Sequence, residues 1–425
     1  MRNLRVSVIR KTQSPEVLSV LQLCAINEPL FPNLKTVDLW LEKRFIPSIP
    51  LFLSPRTTDI SIWDLRFNLP KAIVPSAIAA LPTRCPNIQS ISLYSLPSDP
   101  MVAAAVSSLL LVINRNALRC FRVDSPLTEE ARQVICNLPN LRELSVIIER
   151  DNSLPTVVLP NLTNLEIKYD QDSDLLRVFH GATFGKLAVL TLQSESEQID
   201  GFLEAFERVA LAASIQNTLS EFCLRTSRSW TPNYSSLLPF TQLTTLVIHF
   251  SCNGGCSSTV DDNVVTNLAR AMPKLETLEL GDEPCEEILT GVTVNGLVVL
   301  AHRCPKLLAL RVHFQVASLC AQPGVYGLTS GTCSTAPRRD CALISLEVGE
   351  IPVPEGLVLM VALTLAHIFP NIESVSCVDE DWEKVVDAIR ASRELIDRSS
   401  EEHPLYALQS NFSDTSPGAK LDGVV

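Results

Sequence analysis

The stretch GLVVLAHRCPKLLALRV, residues 296–312, contains the pattern that decides the fold. Its first half has apolar residues at positions i, i+3, i+4 and i+7, which form one face of a helix: Leu297, Leu300, Ala301 and Cys304. Pro305 ends that helix, because proline disfavours the helical conformation in the residue before it. Leu310 and Val312 then lie two apart, as on one face of a β-strand. The stretch therefore predicts a helix followed at once by a short strand.

The strand motif of this stretch recurs along the chain. In each copy a Leu-like residue is followed by two further apolar residues at +3 and +5. The copies are FPNLKTVDL from Phe31, SPRTTDISI from Ser54, CPNIQSISL from Cys85, ALRCFRV from Ala117, LPNLRELSV from Leu138, LPNLTNLEI from Leu159, FGKLAVLTL from Phe184, TLSEFCL from Thr218, FTQLTTLVI from Phe240, MPKLETLEL from Met272, CPKLLALRV from Cys304, CALISLEV from Cys341 and FPNIESVSC from Phe369. Twelve intervals between Leu34 and Ile372 give a mean period of about 28 residues, within the range of leucine-rich repeats.

A repeat of this length predicts an α/β leucine-rich-repeat solenoid. Parallel strands form a curved sheet on the concave face, and helices cover the convex face, because no single repeat can bury its own apolar stripe. We expect the solenoid to span residues 1–392, with about 13 irregular repeats. Residues 393–425 are polar and are expected to form a disordered C-terminal tail.

The helix, Cys-Pro pair and strand of residues 296–312 resemble the cysteine-containing leucine-rich repeat of F-box proteins, and CPNIQSISL from Cys85 is similar. The resemblance covers roughly residues 34–377 and is to the F-box-like type that is numerous in fungi. It implies a substrate receptor of a cullin ubiquitin ligase, or a truncated relative of one, in which an N-terminal F-box binds the Skp-type adaptor. Leu4, Val6 and Val8 alternate like a repeat strand, so no F-box is expected here.

Composition narrows the classes of partner. The chain has 35 Lys and Arg against 47 Asp and Glu, a net charge of −12 at pH 7, which opposes binding to nucleic acid or an anionic membrane surface. Its most apolar runs, Met101–Ile113 and Leu357–Ile368, are shorter than the roughly 20 residues of a membrane helix. The first residues lack the apolar core of a signal peptide. We therefore expect no nucleic acid, no membrane, and a cytoplasmic or nuclear location.

Metal and cofactor chemistry is not expected. The 13 cysteines are scattered, many at apolar positions of predicted elements, which favours free buried thiols. A structural zinc site would have to use cysteines of two loops, whose spacings match no usual zinc signature: Cys252, Cys256, Cys320, Cys333 and Cys341. GATFGK, residues 181–186, lacks the spacing and the Ser or Thr of a phosphate-binding loop.

A protein partner on the concave face is the predicted ligand. Trp40, Trp63 and Tyr94 follow the third apolar position in three successive copies, so they are expected to form one aromatic row on neighbouring strands. Later residues of that row and the adjacent one are predicted to form a polar to basic strip suited to an acidic or hydrogen-bonding segment: Arg122, Lys168, Gln193, Arg225, His249, Arg311 and His313.

The sequence thus predicts a non-catalytic recognition scaffold without catalytic residues. The alternative is a GTPase-activating regulator on the same repeats, which would need an exposed arginine at a loop tip acting on a bound nucleotide. Arg338 and Arg339 are the candidates for that role.

Overall fold

The computed structural model describes most of the repeat region. It covers residues 3–7, 29–40, 49–63, 73–97, 99–148, 157–180, 182–194, 202–212, 215–226, 232–250, 260–281, 291–320, 341–349, 353, 356–377 and 380–402.

The strands of this region form one parallel sheet in sequence order, fourteen strands wide among the described residues. They are β1 (Asn3–Ser7), β2 (Thr36–Trp40), β3 (Asp59–Trp63), β4 (Ser90–Leu93), β5 (Cys120–Val123), β6 (Glu143–Ile148), β7 (Asn164–Tyr169), β8 (Val189–Ser194), β9 (Glu221–Thr226), β10 (Thr245–Phe250), β11 (Thr277–Leu280), β12 (Ala309–Val312), β13 (Ser345–Gly349) and β14 (Ser374–Cys377). Each copy of the motif coincides with one strand from β2 to β14. The chain is an α/β leucine-rich-repeat solenoid, as predicted.

Helices and turns connect the strands. They are α1 (Ile49–Phe52), α2 (Ile73–Ala79), α3 (Leu81–Arg84), α4 (Pro100–Val112), α5 (Glu129–Ile135), α6 (Asp172–Phe179), α7 (Phe202–Ala212), α8 (Asp262–Ala271), α9 (Val294–Arg303), α10 (Val316–Cys320), α11 (Val358–Ile368) and α12 (Asp381–Glu402), with 3-10 turns at Ile215–Asn217 and Tyr234–Leu237. The last helix reaches Glu402, past the start expected for the tail, and residues 403–425 lie outside the described part.

The register between neighbouring repeats is fixed by one carbonyl group per repeat. At each junction from β2 to β14, the carbonyl just before one strand accepts two successive backbone N–H groups of the next repeat. For example, the Thr244 carbonyl accepts from Glu276 N at 2.7 Å and from Thr277 N at 3.0 Å. Two bonds to one oxygen hold the start of every strand at the same height, so equivalent positions of the motif align across the sheet.

The core lies between the sheet and the helices. Alternate strand residues point inward, as Leu278 and Leu280 do in β11. At the centre, five phenylalanines pack ring against ring with centroid separations of 5.2 to 6.0 Å: Phe179, Phe202, Phe206, Phe222 and Phe240. The helical stripe also faces inward, with Leu297, Leu300 and Cys304 fully buried. Neighbouring repeats therefore share one continuous apolar core.

Removing part of this core should destabilise the chain. Leu246, in the middle of β10, is fully buried, so Leu246→Ala should lower the free energy of unfolding by about 3 kcal/mol through lost burial and a residual cavity. Val112 on α4 is 69% exposed, so Val112→Ala should change the free energy of unfolding by less than about 0.5 kcal/mol. Urea denaturation followed by circular dichroism compares the two; equal effects would contradict this placement of the core.

Candidate functional site

Trp40, Trp63 and Tyr94 form a stack of three rings on the solvent-facing side of the sheet, here called the aromatic ladder. Trp40 lies opposite Trp63 in the register of β2 and β3, and the Tyr94 N–H bonds to the Ile62 carbonyl. The ring centroids of the two tryptophans lie 4.8 Å apart and those of Trp63 and Tyr94 lie 3.9 Å apart. The interplanar angles are 9° and 17°. The predicted aromatic row is therefore a stack of nearly parallel rings.

Polar neighbours hold two rungs of the ladder in place. Trp63 Nε1 donates to Asp38 Oδ1 at 2.8 Å, and Arg122 donates to the Tyr94 hydroxyl at 3.3 Å. Arg122 also forms an ion pair with Glu143. Burial works against the charge of Arg122, but the hydrogen bond to Tyr94 and the nearby negative groups raise its pKa overall. Side-chain hydrogen bonds thus hold two of the three rings.

The two ends of the ladder differ. Beyond Tyr94, the next position of the row is Asp124, which accepts the backbone N–H of Ser95 at 3.2 Å. Ser95 has φ of 56°, a conformation that costs energy for a residue other than glycine. At the other end Trp40 is 42% exposed and its register partner on β1 is Ser7, a much smaller residue. The accessible end of the ladder is therefore Trp40.

The polar strip lies in register as predicted, but ion pairs occupy much of it. Lys168, Gln193, Arg225 and His249 are aligned across β7 to β10. Lys168 Nζ lies 2.7 Å from Asp124 Oδ1. The other pairs are His249 with Glu279 at 2.9 Å, Arg311 with Glu347 at 3.4 Å, and Arg122 with Glu143. Carboxylates thus compensate Arg122, Lys168 and Arg311, so the predicted polar to basic strip carries both signs of charge, and its role in binding stays a prediction.

His313 was also expected to be exposed on the concave face, and this is wrong. Only 8% of its surface is accessible. Gly281 directly follows β11, as His313 directly follows β12, and a Cβ added at Gly281 would lie 3.2 Å from the His313 ring. Gly281 has φ of +101°, which favours glycine, and the missing side chain leaves the space in which the ring is buried.

The concave face is acidic rather than basic. On the solvent-facing strand positions from Thr36 onward, the described residues include four guanidinium or ammonium groups and seven carboxylates. The cations are Arg122, Lys168, Arg225 and Arg311; the anions are Asp38, Asp59, Glu143, Glu166, Glu221, Glu279 and Glu347. Asp124, directly after β5, adds a further carboxylate. Within the described part, Glu166 forms no ion pair; it lies on β7 between Ser145 and Thr191 of the neighbouring strands. This surface favours positively charged ligands.

Glu279 lies where three positive or polar side chains converge. The hydrogen bond from His249 lowers the pKa of Glu279; burial opposes this, and the charges of His249, Arg311 and Arg225 lower it further. The cluster joins β9, β10, β11 and β12 across the concave face. The Glu279 carboxylate therefore contacts His249 of the neighbouring strand directly and lies in the field of Arg225 and Arg311.

Six described cysteines are free thiols, buried or half-buried: Cys85, Cys120, Cys136, Cys223, Cys304 and Cys341. Burial raises the pKa of Cys85 to about 11 and that of Cys136 and Cys304 to about 12. Cys304 Sγ lies 3.6 Å from the Met272 carbonyl, against the preceding helix. These thiols are protonated at neutral pH and pack as small apolar groups.

Other sequence candidates are accounted for or lie outside the described part. Gly185 of GATFGK packs so closely that an added Cβ would lie 2.7 Å from the Pro160 carbonyl, which explains the glycine without a phosphate. Cys252, Cys256, Cys333, Arg338 and Arg339 are outside the described residues. No group of three or more metal-ligating side chains occurs within the described ranges.

Among the helices in the part of the chain that the structure describes, none combines the length and the apolar composition needed to cross a bilayer.

Comparison with known proteins adds little to this picture. No protein-family model matches the chain, and no curated protein does. Among solved structures, the chain is similar to the leucine-rich repeat-containing protein LegL7 from Legionella pneumophila, with 11% sequence identity and a TM-score of 0.33. The alignment covers 91% of this chain and 97% of that one. The fold assignment therefore depends on the sheet and its register.

Sequence reasoning missed the compensating carboxylates, and a signal for them was present. Asp124 stands directly after the third apolar residue of its copy, in the same row as Lys168. Glu279 and Glu347 stand between the second and third apolar residues, in the row of Arg122 and Arg311. Aligning all exposed positions of the copies would have shown both signs of charge.

The Glu279 cluster should make stability depend on pH. A lowered pKa means that Glu279 stabilises the folded chain above its ordinary value of 4.5 and that this contribution is lost as the pH falls below it. The difference in Tm between the wild type and Glu279→Gln should therefore be larger above pH 4.5 than well below it. Glu130 is exposed on α5, and Glu130→Gln is the control. A difference that persists at low pH would contradict the assigned role.

The buried thiols should resist alkylation. Because their pKa is about 12, Cys136 and Cys304 should remain unmodified by iodoacetamide at mildly alkaline pH in the folded chain. After unfolding in urea both should react fully. Peptide mass spectrometry measures this, and rapid modification of the folded chain would show that these residues are accessible.

Proposed function

We propose that the chain is a non-catalytic scaffold that holds a protein partner on its concave face, anchored at the aromatic ladder. The observation that carries this is the stack of Trp40, Trp63 and Tyr94 on the solvent-facing side of the sheet, with Trp40 42% exposed. Exposed tryptophan and tyrosine are the residues most enriched in the energetic centres of protein interfaces.

The ladder is suited to binding because it is ordered in advance. Rings that are already stacked, with Trp63 bonded to Asp38 and Tyr94 bonded to Arg122, lose little side-chain entropy when a partner arrives. The strained backbone at Ser95, next to Tyr94, is of the kind that is kept at functional sites. The row of ion pairs beside the ladder gives the rim of the interface a polar character.

A finer proposal concerns the pathway. The Cys-Pro repeats at Cys85 and Cys304 resemble those of F-box proteins, so we propose that the chain selects substrates for a cullin ubiquitin ligase in the cytoplasm or nucleus. What supports this is the sequence resemblance. Gel filtration of the purified chain mixed with a Skp-type adaptor tests the ubiquitin-ligase proposal. Co-elution is expected if the chain itself contacts the adaptor. Separate elution would contradict this finer proposal and leave the scaffold role intact.

Shortening two rungs of the ladder should abolish capture of the native partner. The double variant Trp40→Ala and Trp63→Ala removes the stack but no core residue, so its Tm should stay within a few degrees of the wild type. Affinity capture from the source cells, followed by quantitative mass spectrometry, should lose specific proteins with this variant. The matched control is Leu359→Ala with Leu363→Ala, which shortens two exposed apolar side chains on α11.

Two outcomes would contradict the scaffold role as placed here. Unchanged capture by the ladder variant would move the interface elsewhere. A large fall in Tm would mean that the tryptophans stabilise the fold instead of serving a partner.

A further inference from the structure

Resting on the proposed function, one inference concerns the chemistry of the partner. We propose that the concave face binds a basic segment of another protein, and that an arginine of this segment stacks on the exposed face of Trp40.

The charge of the face determines the sign of the partner. From β2 to β14, its described solvent-facing strand positions carry seven carboxylates and four guanidinium or ammonium groups, and the chain as a whole has a net charge of −12. The ion pairs of Lys168 with Asp124, Arg122 with Glu143 and Arg311 with Glu347 leave the excess negative. Like charges repel, so an acidic segment is disfavoured and a basic one is attracted over the whole sheet.

The geometry at Trp40 determines which cation fits. Strands in a sheet are about 4.8 Å apart, and the Trp40 and Trp63 rings follow that spacing. The next position, on β1, is Ser7, a residue type without a ring, and Trp40 is 42% exposed, so a flat group of the partner can stack on its indole. The guanidinium group is planar and weakly hydrated, and it stacks on indole faces, whereas the lysine ammonium is a compact, strongly hydrated charge. Arginine therefore suits the end of the ladder.

Glu166 provides a second contact for the same segment. It lies five strands from Trp40, about 24 Å along the sheet, and has no ion-pair partner in the described ranges. An extended segment of about seven residues spans this distance. A second cation of the partner would pair with Glu166, so the bound segment crosses the strands from β2 to β7.

Selection of a random-peptide phage library on the immobilised full chain tests whether the concave face prefers basic segments. Selected peptides should be enriched in arginine and depleted in Asp and Glu. A synthetic peptide from the selection should bind about tenfold more weakly when citrulline, planar but uncharged, replaces its critical arginine. Trp40→Ala should cause a similar loss, and Glu166→Gln should weaken binding and reduce its dependence on salt. Val112→Ala and Glu130→Gln are matched controls that should bind like the wild type.

The outcomes separate this inference from the scaffold role. Selection of acidic peptides, equal binding of the arginine and citrulline forms, or displacement of the peptide by single-stranded RNA would overturn the arginine proposal. If the ladder variant still loses its native partner in the capture experiment, the scaffold role stands although the arginine proposal fails. If arginine-containing peptides bind but the ladder variant captures the same native proteins as the wild type, the scaffold role fails instead.

Discussion

The fold depends on a repeated backbone contact in which one carbonyl oxygen accepts two N–H groups of the following repeat. It recurs at every junction from β2 to β14 and sets the height at which each strand begins. Because side chains alternate between the two faces, a slip of one residue would exchange the core residues for the exposed ones. The apolar core reinforces the same register, since Leu246, Leu278 and Leu310 are aligned and buried.

The surface chemistry follows from that register. Residues far apart in sequence become neighbours when they occupy the same place in the motif, as Lys168 and Asp124 do over 44 positions of the chain. The pairs are half-buried, so each contributes modestly to stability, but together they fix side chains along the concave face. The aromatic stack and the ion pairs are thus parts of one ordered surface.

Much of the fold could be predicted from the sequence, and less of the site. The motif repeats its spacing in every copy, so strand positions and the alignment of Trp40 with Trp63 follow from counting residues. Charge compensation depends on which side chains of nearby strands reach each other, and considering only the cations and polar residues of two rows made the strip look basic. His313 shows a further limit, because its burial depends on the absence of a side chain at Gly281.

The spacing of the aromatic rings is a property of the backbone and not of the rings themselves. Each rung stands on its own repeat, and each repeat contacts only the ones beside it. Gain or loss of a whole unit would therefore lengthen or shorten the stacked surface by one ring without disturbing the others. A platform built in this way changes size in discrete steps, whereas an ordinary binding pocket has to be reshaped as a whole.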